Sequence, residues 1–356
     1  MKIAWCLLAA TGCATIDDGF SLQIEARDAP VVVFRDGDGP WQQLATTPDG
    51  IAYVQVHEPT YGVGALCGNA IWTSAPFIFD TQPGTVFLSC PITTAITTTL
   101  HVRGTTAPMA MVWIGGDSER ADAAGAFDLT LYEQGLHDVI AILPSTPPRI
   151  VAKRAIAFSQ DTLVDLPATD ATEMTALYPM VVGADPATLE LSSDLNTPTD
   201  WISLGSGPQT VYVPPSTFLT STDRPAIAAR DHGCVRQHPL SEANEPHVMP
   251  AALEYSLDRT QLAWTADASV AWDSALLEVN SFDGGTSRYS AYASASWREL
   301  AGDAIPIVAL DALPGWTAGL ARLSPDKPAS FSFSVSRGSY DGDLTSCGAN
   351  AQLDRW

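Results

Sequence analysis

Positive charge is scarce in this chain. Lysine occurs only at Lys2, Lys153 and Lys327, and 18 Lys+Arg face 40 Asp+Glu, which gives a formal net charge of -22 at pH 7. The electrostatic field of such a chain repels phosphate backbones and anionic lipid head groups at long range. We therefore expect no nucleic-acid partner, and we interpret the acidity as an aid to solubility rather than as a binding surface.

Long apolar runs and helical periodicity are also missing. No apolar run reaches the length of a membrane-spanning helix, and no segment keeps a 3.6-residue apolar period over three turns. The 26 Gly and 26 Pro would interrupt a helix in most places. Yet 46% of the residues are hydrophobic and only 16% are charged, which excludes a disordered chain. At 356 residues the chain has room for two or three folded domains.

Strand patterns fill most of the chain instead. Short runs rich in Val, Ile, Thr, Phe and Tyr recur between Gly, Pro, Asp and Asn, as in "PVVVF", "GIAYVQV" and "TVFLSC". Apolar and polar residues alternate at Phe127, Leu129 and Leu131, and again at Phe331 and Phe333, as expected of strands with one buried face. The sequence predicts an all-β protein of tandem β-sandwich-like domains.

The stretch "FRDGDGPWQQL" at 34–44 is either a calcium loop or a turn. An EF-hand loop that began at Asp36 would need glycine at its sixth position and glutamate at its twelfth, where Trp41 and Thr47 stand. Asp-Gly pairs between apolar runs favour tight hairpins, because glycine accepts positive φ and aspartate tolerates it. We therefore predict a hairpin here. The same pair predicts hairpin turns at three further places: Asp49-Gly50, Asp283-Gly284 and Asp341-Gly342.

The N-terminus has the order of parts of a secretory signal: the cation Lys2, an apolar stretch over 3–10, and small residues before Cys13. The box Ala10–Cys13 resembles a bacterial lipoprotein signal, although leucine is usual in place of alanine at its start. This resemblance implies that Cys13 is acylated, becomes the first mature residue and anchors the chain in a membrane. Ala14 follows it, which favours the outer membrane. The alternatives are a soluble exported protein and a misassigned start codon.

Export changes the interpretation of the cysteines. Cys6 would leave with the signal and Cys13 would carry lipid, so four cysteines remain in an oxidising compartment, where an even number predicts two disulfides. No CxxC spacing of a redox or zinc site is present. Of the three possible connectivities, proximity in the chain favours two structural pairs: Cys67 with Cys90, and Cys234 with Cys347. The first would stabilise the fold by roughly 3 kcal/mol in the chain-entropy model.

The chain divides into five predicted segments: a signal at 1–13, a tether at 14–27, a first β unit at 28–95, a β-sandwich at 96–175 and a C-terminal β domain at 176–356. The part from 96 to 144 resembles a carboxypeptidase regulatory-like, transthyretin-like β-sandwich. The resemblance rests on a strand ending at Gly104, a strand over 109–114, and Gly125 opening the strand before a glycine turn at Gly135. It implies a folded spacer or ligand platform without catalytic residues. We identify no family for the whole chain.

Catalytic motifs are missing from the sequence: it has no GxSxG elbow, HExxH helix, Walker loop or dinucleotide fingerprint. The densest group of possible ligands is "RDHGCVRQHPLSEANEPHVMP", which contains His232, His238 and His247. Imidazoles this close together could bind zinc or another transition metal. Because prolines interrupt the stretch and Cys234 is better used in a disulfide, we favour a titrating surface loop and keep a metal site as the alternative.

Tryptophans offer a further route to function, since an exposed ring on a β-sandwich can stack on sugar rings, whereas a buried ring fills the core. The candidates are Trp72, Trp113, Trp201, Trp264, Trp272, Trp297 and Trp316.

Taken together, these features predict an exported, lipid-anchored surface protein without bound cofactor. We expect it to have a non-enzymatic binding, adhesion or structural role, with a surface protein or a glycan as its ligand. The alternatives are a glycan-binding module that uses exposed tryptophan and a metal-dependent hydrolase centred on His232, His238 and His247.

Export and anchoring are tested together by intact mass spectrometry of protein extracted from membranes. We expect a chain that begins at an acylated Cys13 and whose other four cysteines resist alkylation, because the same compartment that receives a lipoprotein also oxidises thiols. A cytosolic chain that keeps Met1 and has freely alkylated thiols would contradict the prediction.

Overall fold

The computed structural model describes residues 19–68, 72–90, 99–132, 134–282, 286–339 and 343–356. The structure is 54% strand and 5% helix in several packed sheets, which confirms the prediction of an all-β, sandwich-like protein. In these ranges no helix has the length and hydrophobicity of a membrane span. The predicted signal with Cys13 and the turns at Asp283-Gly284 and Asp341-Gly342 lie outside the described residues.

The first β unit contains seven strands in two layers. They are β1 (Phe20–Glu25), β2 (Val31–Asp36), β3 (Gln42–Leu44), β4 (Ile51–Val56), β5 (Tyr61–Gly68), β6 (Trp72–Asp80) and β7 (Gly84–Phe87). Three of them form a sheet in the order β4-β1-β7. Leu22 and Ile24 of β1 are fully buried. This corrects the predicted tether at 14–27, because the alternation in "FSLQIE" places a central strand there.

Strand β2 is covered on both faces. Val31 and Val33 pack in the core shared with the C-terminal region, whereas Val32 and Phe34 pack against the sheet β4-β1-β7. A continuous apolar run such as "VVVF" is typical of a strand with two buried faces. The Cys67–Cys90 disulfide links β5 to the residues after β7, so it joins the two layers covalently and confirms the predicted pairing.

The middle segment is a β-sandwich around a core of its own. Its strands are β8 (Leu100–Thr105), β9 (Met111–Ile114), β10 (Asp117–Arg120), β11 (Ala126–Leu131), β12 (Gly135–Leu143), β13 (Arg149–Phe158), β14 (Thr162–Leu163) and β15 (Thr172–Glu173), with a 3₁₀ turn at Ala168–Asp170. The sheet β10-β9-β12-β13-β15 faces the sheet β11-β8-β14. The likeness to carboxypeptidase regulatory-like domains stays a prediction.

The C-terminal region adds fifteen strands. They are β16 (Thr175–Leu177), β17 (Val181–Val182), β18 (Glu190–Asn196), β19 (Trp201–Gly207), β20 (Val211–Val213), β21 (Arg224–Asp231), β22 (Cys234–Pro239), β23 (His247–Val248), β24 (Glu254–Leu257), β25 (Gln261–Thr265), β26 (Ser274–Phe282), β27 (Thr286–Ser294), β28 (Ala304–Pro306), β29 (Ala329–Gly338) and β30 (Leu344–Leu353). Helix α1 covers Ala295–Ala301, and two 3₁₀ turns cover Leu240–Glu242 and Leu310–Ala312.

One twelve-stranded sheet joins the first β unit to the C-terminal region. Its order is β19-β18-β21-β22-β30-β29-β26-β27-β6-β5-β2-β3. The joint is a parallel pairing of β6 with β27, in which Thr73 lies beside Ser287. The predicted boundary at residue 95 therefore does not separate two sheets, and the domain boundaries stay a prediction. Cys234 and Cys347 lie directly opposite each other on β22 and β30 and form the second predicted disulfide.

The predicted Asp-Gly turns have two outcomes in the described part of the chain. Asp36 ends β2, which pairs with β3 as the predicted hairpin, and its carboxylate also accepts hydrogen bonds from the backbone of His57 and Glu58. Gly50 has a φ of 75° in a tight turn. The strands that flank this turn, β3 and β4, belong to different sheets, so Asp49-Gly50 is a turn between layers and not a hairpin.

The middle sandwich packs on the large sheet through an apolar contact and a buried charge cluster. Ile140 and Ile150 meet Leu195 and Ile202 in a small core. Beside this core, the guanidinium of Arg154 lies 2.8 Å from the Asp138 carboxylate and 2.9 Å from the Asp223 carboxylate. We call this region the junction.

A β-bulge directs the charged side chains of the junction. The register between β12 and β13 shifts between His137 and Val139, so that Asp138 lies opposite both Arg154 and Ala155. Ala155 has a positive φ of 51°, and its N–H donates to the Asp138 carboxylate at 2.8 Å. Bulges twist a strand and redirect its side chains. Here the bulge breaks the regular alternation of side chains along β13, so that Arg154 reaches Asp223.

Replacement of Arg154 by methionine tests the junction. The change leaves Asp138 and Asp223 buried without their cation, so the free energy of unfolding should fall by roughly 3 kcal/mol. Denaturant unfolding measures the loss. Arg103→Met is the matched control, because Arg103 pairs with Asp128 on the exposed surface of the same sandwich and should change stability little. Equal losses in the two variants would show that the junction carries no special stability.

Candidate functional site

The three histidines of the predicted metal loop do not converge. His232 lies exposed in the two-residue turn between β21 and β22, whereas His238 lies near the other end of β22. His232 and Gly233 have φ values of 46° and 77°, as a type I′ hairpin requires. The tight turn points His232 away from His238. In the described part of the chain no three His, Cys, Asp or Glu side chains are arranged to hold a metal ion.

His238 and His247 do meet, as a buried pair with ring centroids 4.5 Å apart. His247 Nδ1 lies 3.2 Å from the Arg236 carbonyl oxygen. The Nε2 atoms of both rings are buried without a hydrogen-bond partner. Burial, with the nearby charge of His238 second, lowers the pKa of His247 to about 4. His247 is therefore neutral near pH 7 and serves the packing of β22 against β23.

Most described tryptophans are covered. The buried set is Trp264, Trp272, Trp297 and Trp356, and the half-buried set is Trp41, Trp113 and Trp316. Trp201, at the start of the edge strand β19, is the one tryptophan in the described ranges that is exposed, at 48%. The side chain of Trp72 lies outside what the structure describes. A platform of several tryptophans is thus not found among the described residues.

Two other aromatic rings stand on a flat, open surface. Tyr53 on β4 is 64% exposed and Phe87 on β7 is 67% exposed, and both point outward from the sheet β4-β1-β7. Strand β1 runs between them, with Gln23 beside Tyr53 and Glu25 beside Phe87 in register. We call Gln23, Glu25, Tyr53 and Phe87 the aromatic platform.

The strand geometry sets the spacing of the aromatic platform. Tyr53 and Phe87 are two strand spacings of about 4.8 Å apart across the sheet and two residues apart along it, so their Cα atoms lie roughly 12 Å apart. Between the rings, Gln23 Nε2 donates to Glu25 Oε1 at 2.8 Å. The exposed side chains of Ser21, Gln55 and Thr85 border the same face. The surface therefore alternates apolar rings with hydrogen-bonding groups.

The opposite face of the same sheet holds the aromatic platform rigid. Leu22, Ile24 and Val86 are buried against the large sheet. Cys90, three residues after Phe87, is bonded to Cys67 of the layer below. Sequence reasoning missed this platform, although "AYVQV" and "TVFLSC" read as strands. Alternation shows that such a strand has two faces, but it does not show which face is wet.

A second open surface lies on the large sheet. Leu276 of β26 and Tyr292 of β27 are cross-strand neighbours, half exposed among serines such as Ser334 and Ser290. Burial, with the charge of Asp80 second, raises the pKa of the Tyr292 hydroxyl, so it remains protonated and can donate. We call this the serine face.

A cleft of about 630 Å³ in the middle sandwich is a weaker candidate. Its polar groups are already used: Asp128 accepts from Arg103 at 2.9 Å, and Asp165 accepts from Thr105 at 2.8 Å. A ligand would have to compete with these bonds.

Comparison with known proteins gives no family. No protein-family model and no curated protein matches the chain. Among solved structures, the Bacillus anthracis TIE protein is similar at 12% identity over 62% of this chain, with a TM-score of 0.17, and the match covers 45% of that protein. A Bacteroides uniformis protein described as carbohydrate binding is similar at 7% identity over 71% of this chain and 99% of its own, also with a TM-score of 0.17. Scores this low carry no argument about function.

The buried His247 predicts a loss of stability in acid. Its folded pKa of about 4 lies below the ordinary value near 6.5. The stability that the neutral His247 contributes to the fold is therefore fully present above pH ~6.5 and is lost as pH falls toward 4. The loss should reach roughly 3 kcal/mol. Unfolding of His247→Gln should depend less on pH in this window. His57→Gln, at an exposed site, is the control and should follow the parent chain; a parallel pH profile for His247→Gln would contradict the assignment.

Proposed function

We propose that this chain is an exported, lipid-anchored envelope protein that binds a neutral glycan on the aromatic platform, without catalysis. The observation that carries the proposal is the pair of exposed rings, Tyr53 and Phe87, on the outward face of the sheet β4-β1-β7, whose other face is buried. Exposed apolar groups rimmed by polar side chains are a mark of binding surfaces.

The chemistry of a sugar chain fits this surface. A pyranose ring has an apolar C–H face and a rim of hydroxyl groups. Aromatic rings cover the C–H face, while carboxamide and carboxylate groups exchange hydrogen bonds with the rim. Gln23 and Glu25 supply those groups between Tyr53 and Phe87. A spacing of roughly 12 Å between the two aromatic Cα atoms leaves room for separate sugar residues on each ring.

The charge of the aromatic platform favours a neutral ligand. Glu25 places a carboxylate at its centre, and the chain as a whole carries -22. An anionic glycan would be repelled by both. Binding of a neutral chain instead depends on stacking and hydrogen bonds, which salt weakens little.

The proposed location follows from the cysteines. Two disulfides suit an oxidising compartment outside the cytoplasm. If Cys13 carries lipid, the seven residues from it to Phe20 span at most about 25 Å, so the aromatic platform stays close to the outer membrane. We therefore propose that its ligand is a glycan of the envelope or of an adjoining surface.

Adhesion through the serine face is the second candidate, favoured by the exposed Leu276–Tyr292 pair.

Alanine replacements in the aromatic platform test the function. Tyr53→Ala and Phe87→Ala should each weaken glycan binding roughly tenfold, because each removes one stacking surface. A glycan array identifies the ligand, and affinity electrophoresis or calorimetry measures the loss.

Tyr178→Ala is the matched control, since Tyr178 is 75% exposed but lies outside the aromatic platform. Its binding should equal that of the parent chain. Tyr292→Ala separates the second candidate: a loss in this variant alone would move the site to the serine face, and unchanged binding in both platform variants would refute the proposal.

A further inference from the structure

The junction buries more negative than positive charge. Asp138, Asp200 and Asp223 are buried there, and Arg154 is the cation that pairs with Asp138 and Asp223. Asp200 has no such partner. Its Oδ2 accepts from the N–H of Asp138 at 3.1 Å and from the hydroxyl of Thr199 at 2.6 Å, while its Oδ1 is buried without a hydrogen bond. A buried carboxylate without a cation is costly.

The imidazole of His137 faces this carboxylate. His137 Nδ1 lies 3.6 Å from Asp200 Oδ1, and both ring nitrogens are buried without a hydrogen-bond partner. Asp200, before β19, is the charged group that faces the ring at this distance, and Asp138 follows His137 on its own strand. Arg154 on β13 and Asp223 before β21 are the other charged groups of the junction. The phenyl ring of Phe158, at 6.1 Å, closes one side.

Protonation of His137 would give the Asp200 carboxylate a cation. An imidazolium has two N–H donors and no acceptor, so Nδ1–H can donate to Asp200 Oδ1 after a shift of a few tenths of an ångström. It also supplies the second cation that the three carboxylates lack. A neutral imidazole with its proton on Nδ1 could also donate to Asp200 Oδ1, but it would leave this buried carboxylate without a cation, which is the costly state.

We propose that His137 and Asp200 form a proton-operated latch between the middle sandwich and the large sheet. In the protonated state the ion pair holds the loop before β19 against β12. The proton is taken from solvent and returned to it, so no other reactant is needed. Loss of that proton removes the charge from the ring, and the junction loosens. The sign is opposite to that of His247, which destabilises the fold in acid.

A double-mutant cycle isolates the latch from the other titrating groups. The variants are His137→Gln, Asp200→Asn and the double variant, unfolded with denaturant at about pH 5 and about pH 8. The coupling between the two residues should be about tenfold in the unfolding equilibrium constant at the lower pH and should disappear at the higher pH. Coupling that is equal at both values, or absent at both, would overturn the proposal.

The matched control is the His101–Asp128 pair of the same sandwich. It has an Nδ1–Oδ1 distance of 2.9 Å but is exposed, so its coupling should be small at either pH. If it equals the coupling of His137 with Asp200, burial at the junction is not the cause.

Hydrogen exchange gives a second readout that a purely structural role would not move. The Asp138 amide donates to Asp200, so its protection factor should fall between about pH 5 and about pH 8 in the parent chain and stay constant in His137→Gln. Strand β8, in the interior of the sandwich, is the reference and should not change. Constant protection of Asp138 in the parent chain would overturn the latch. Glycan binding takes no part in these measurements, so their failure would leave the proposed function untouched.

Discussion

The parallel pairing of β6 with β27 is the constraint on which the rest of the structure depends. It joins segments 214 residues apart, and Thr73 donates to Ser287 across it at 2.9 Å. The fold tolerates a loop this long because the entropic cost of closing it rises by only about 0.6 kcal/mol for each doubling of loop length. Aromatic packing adds stability, since Phe77 stacks near Tyr289 and Phe79 near Trp297. Strands β5, β2 and β3 extend the large sheet from this joint.

The position of the aromatic platform depends on the pairing of β6 with β27. The sheet β4-β1-β7 covers one face of β2 and β5, while the C-terminal core covers the other face. The Cys67–Cys90 disulfide then fixes the edge strand β7 to β5. Exposed rings on a mobile loop would lose both backbone and side-chain entropy when they bind, whereas rings on a sheet packed from below lose less. The same packing that buries Leu22 and Ile24 therefore presents Tyr53 and Phe87 to solvent.

Burial gives the chain's histidines different physical roles. His247 is fully buried beside another imidazole, so burial favours its neutral form. His137 lies beside an unpaired carboxylate at the junction. His232 stays in solvent at a hairpin turn, where its Nδ1 lies 2.8 Å from Asp231 Oδ1. His232, His238 and His247 are the same residue type at similar spacing in the sequence. Their different exposure and neighbours arise from strand pairing.

The sequence alone determined the all-β class, the presence of two disulfides and the hairpin at Asp36, because these depend on local alternation, cysteine count and turn chemistry. Strand pairing decided which of the three possible connectivities forms, since it places Cys234 opposite Cys347 on β22 and β30. The tertiary structure decided that "FSLQIE" is a central strand rather than a tether, and that Asp49-Gly50 links two layers. It also decided that the exposed rings of the aromatic platform are Tyr53 and Phe87 rather than tryptophans. The reason is physical: alternation gives every strand two faces, and which face is buried depends on packing against other strands of the chain, which no local pattern encodes.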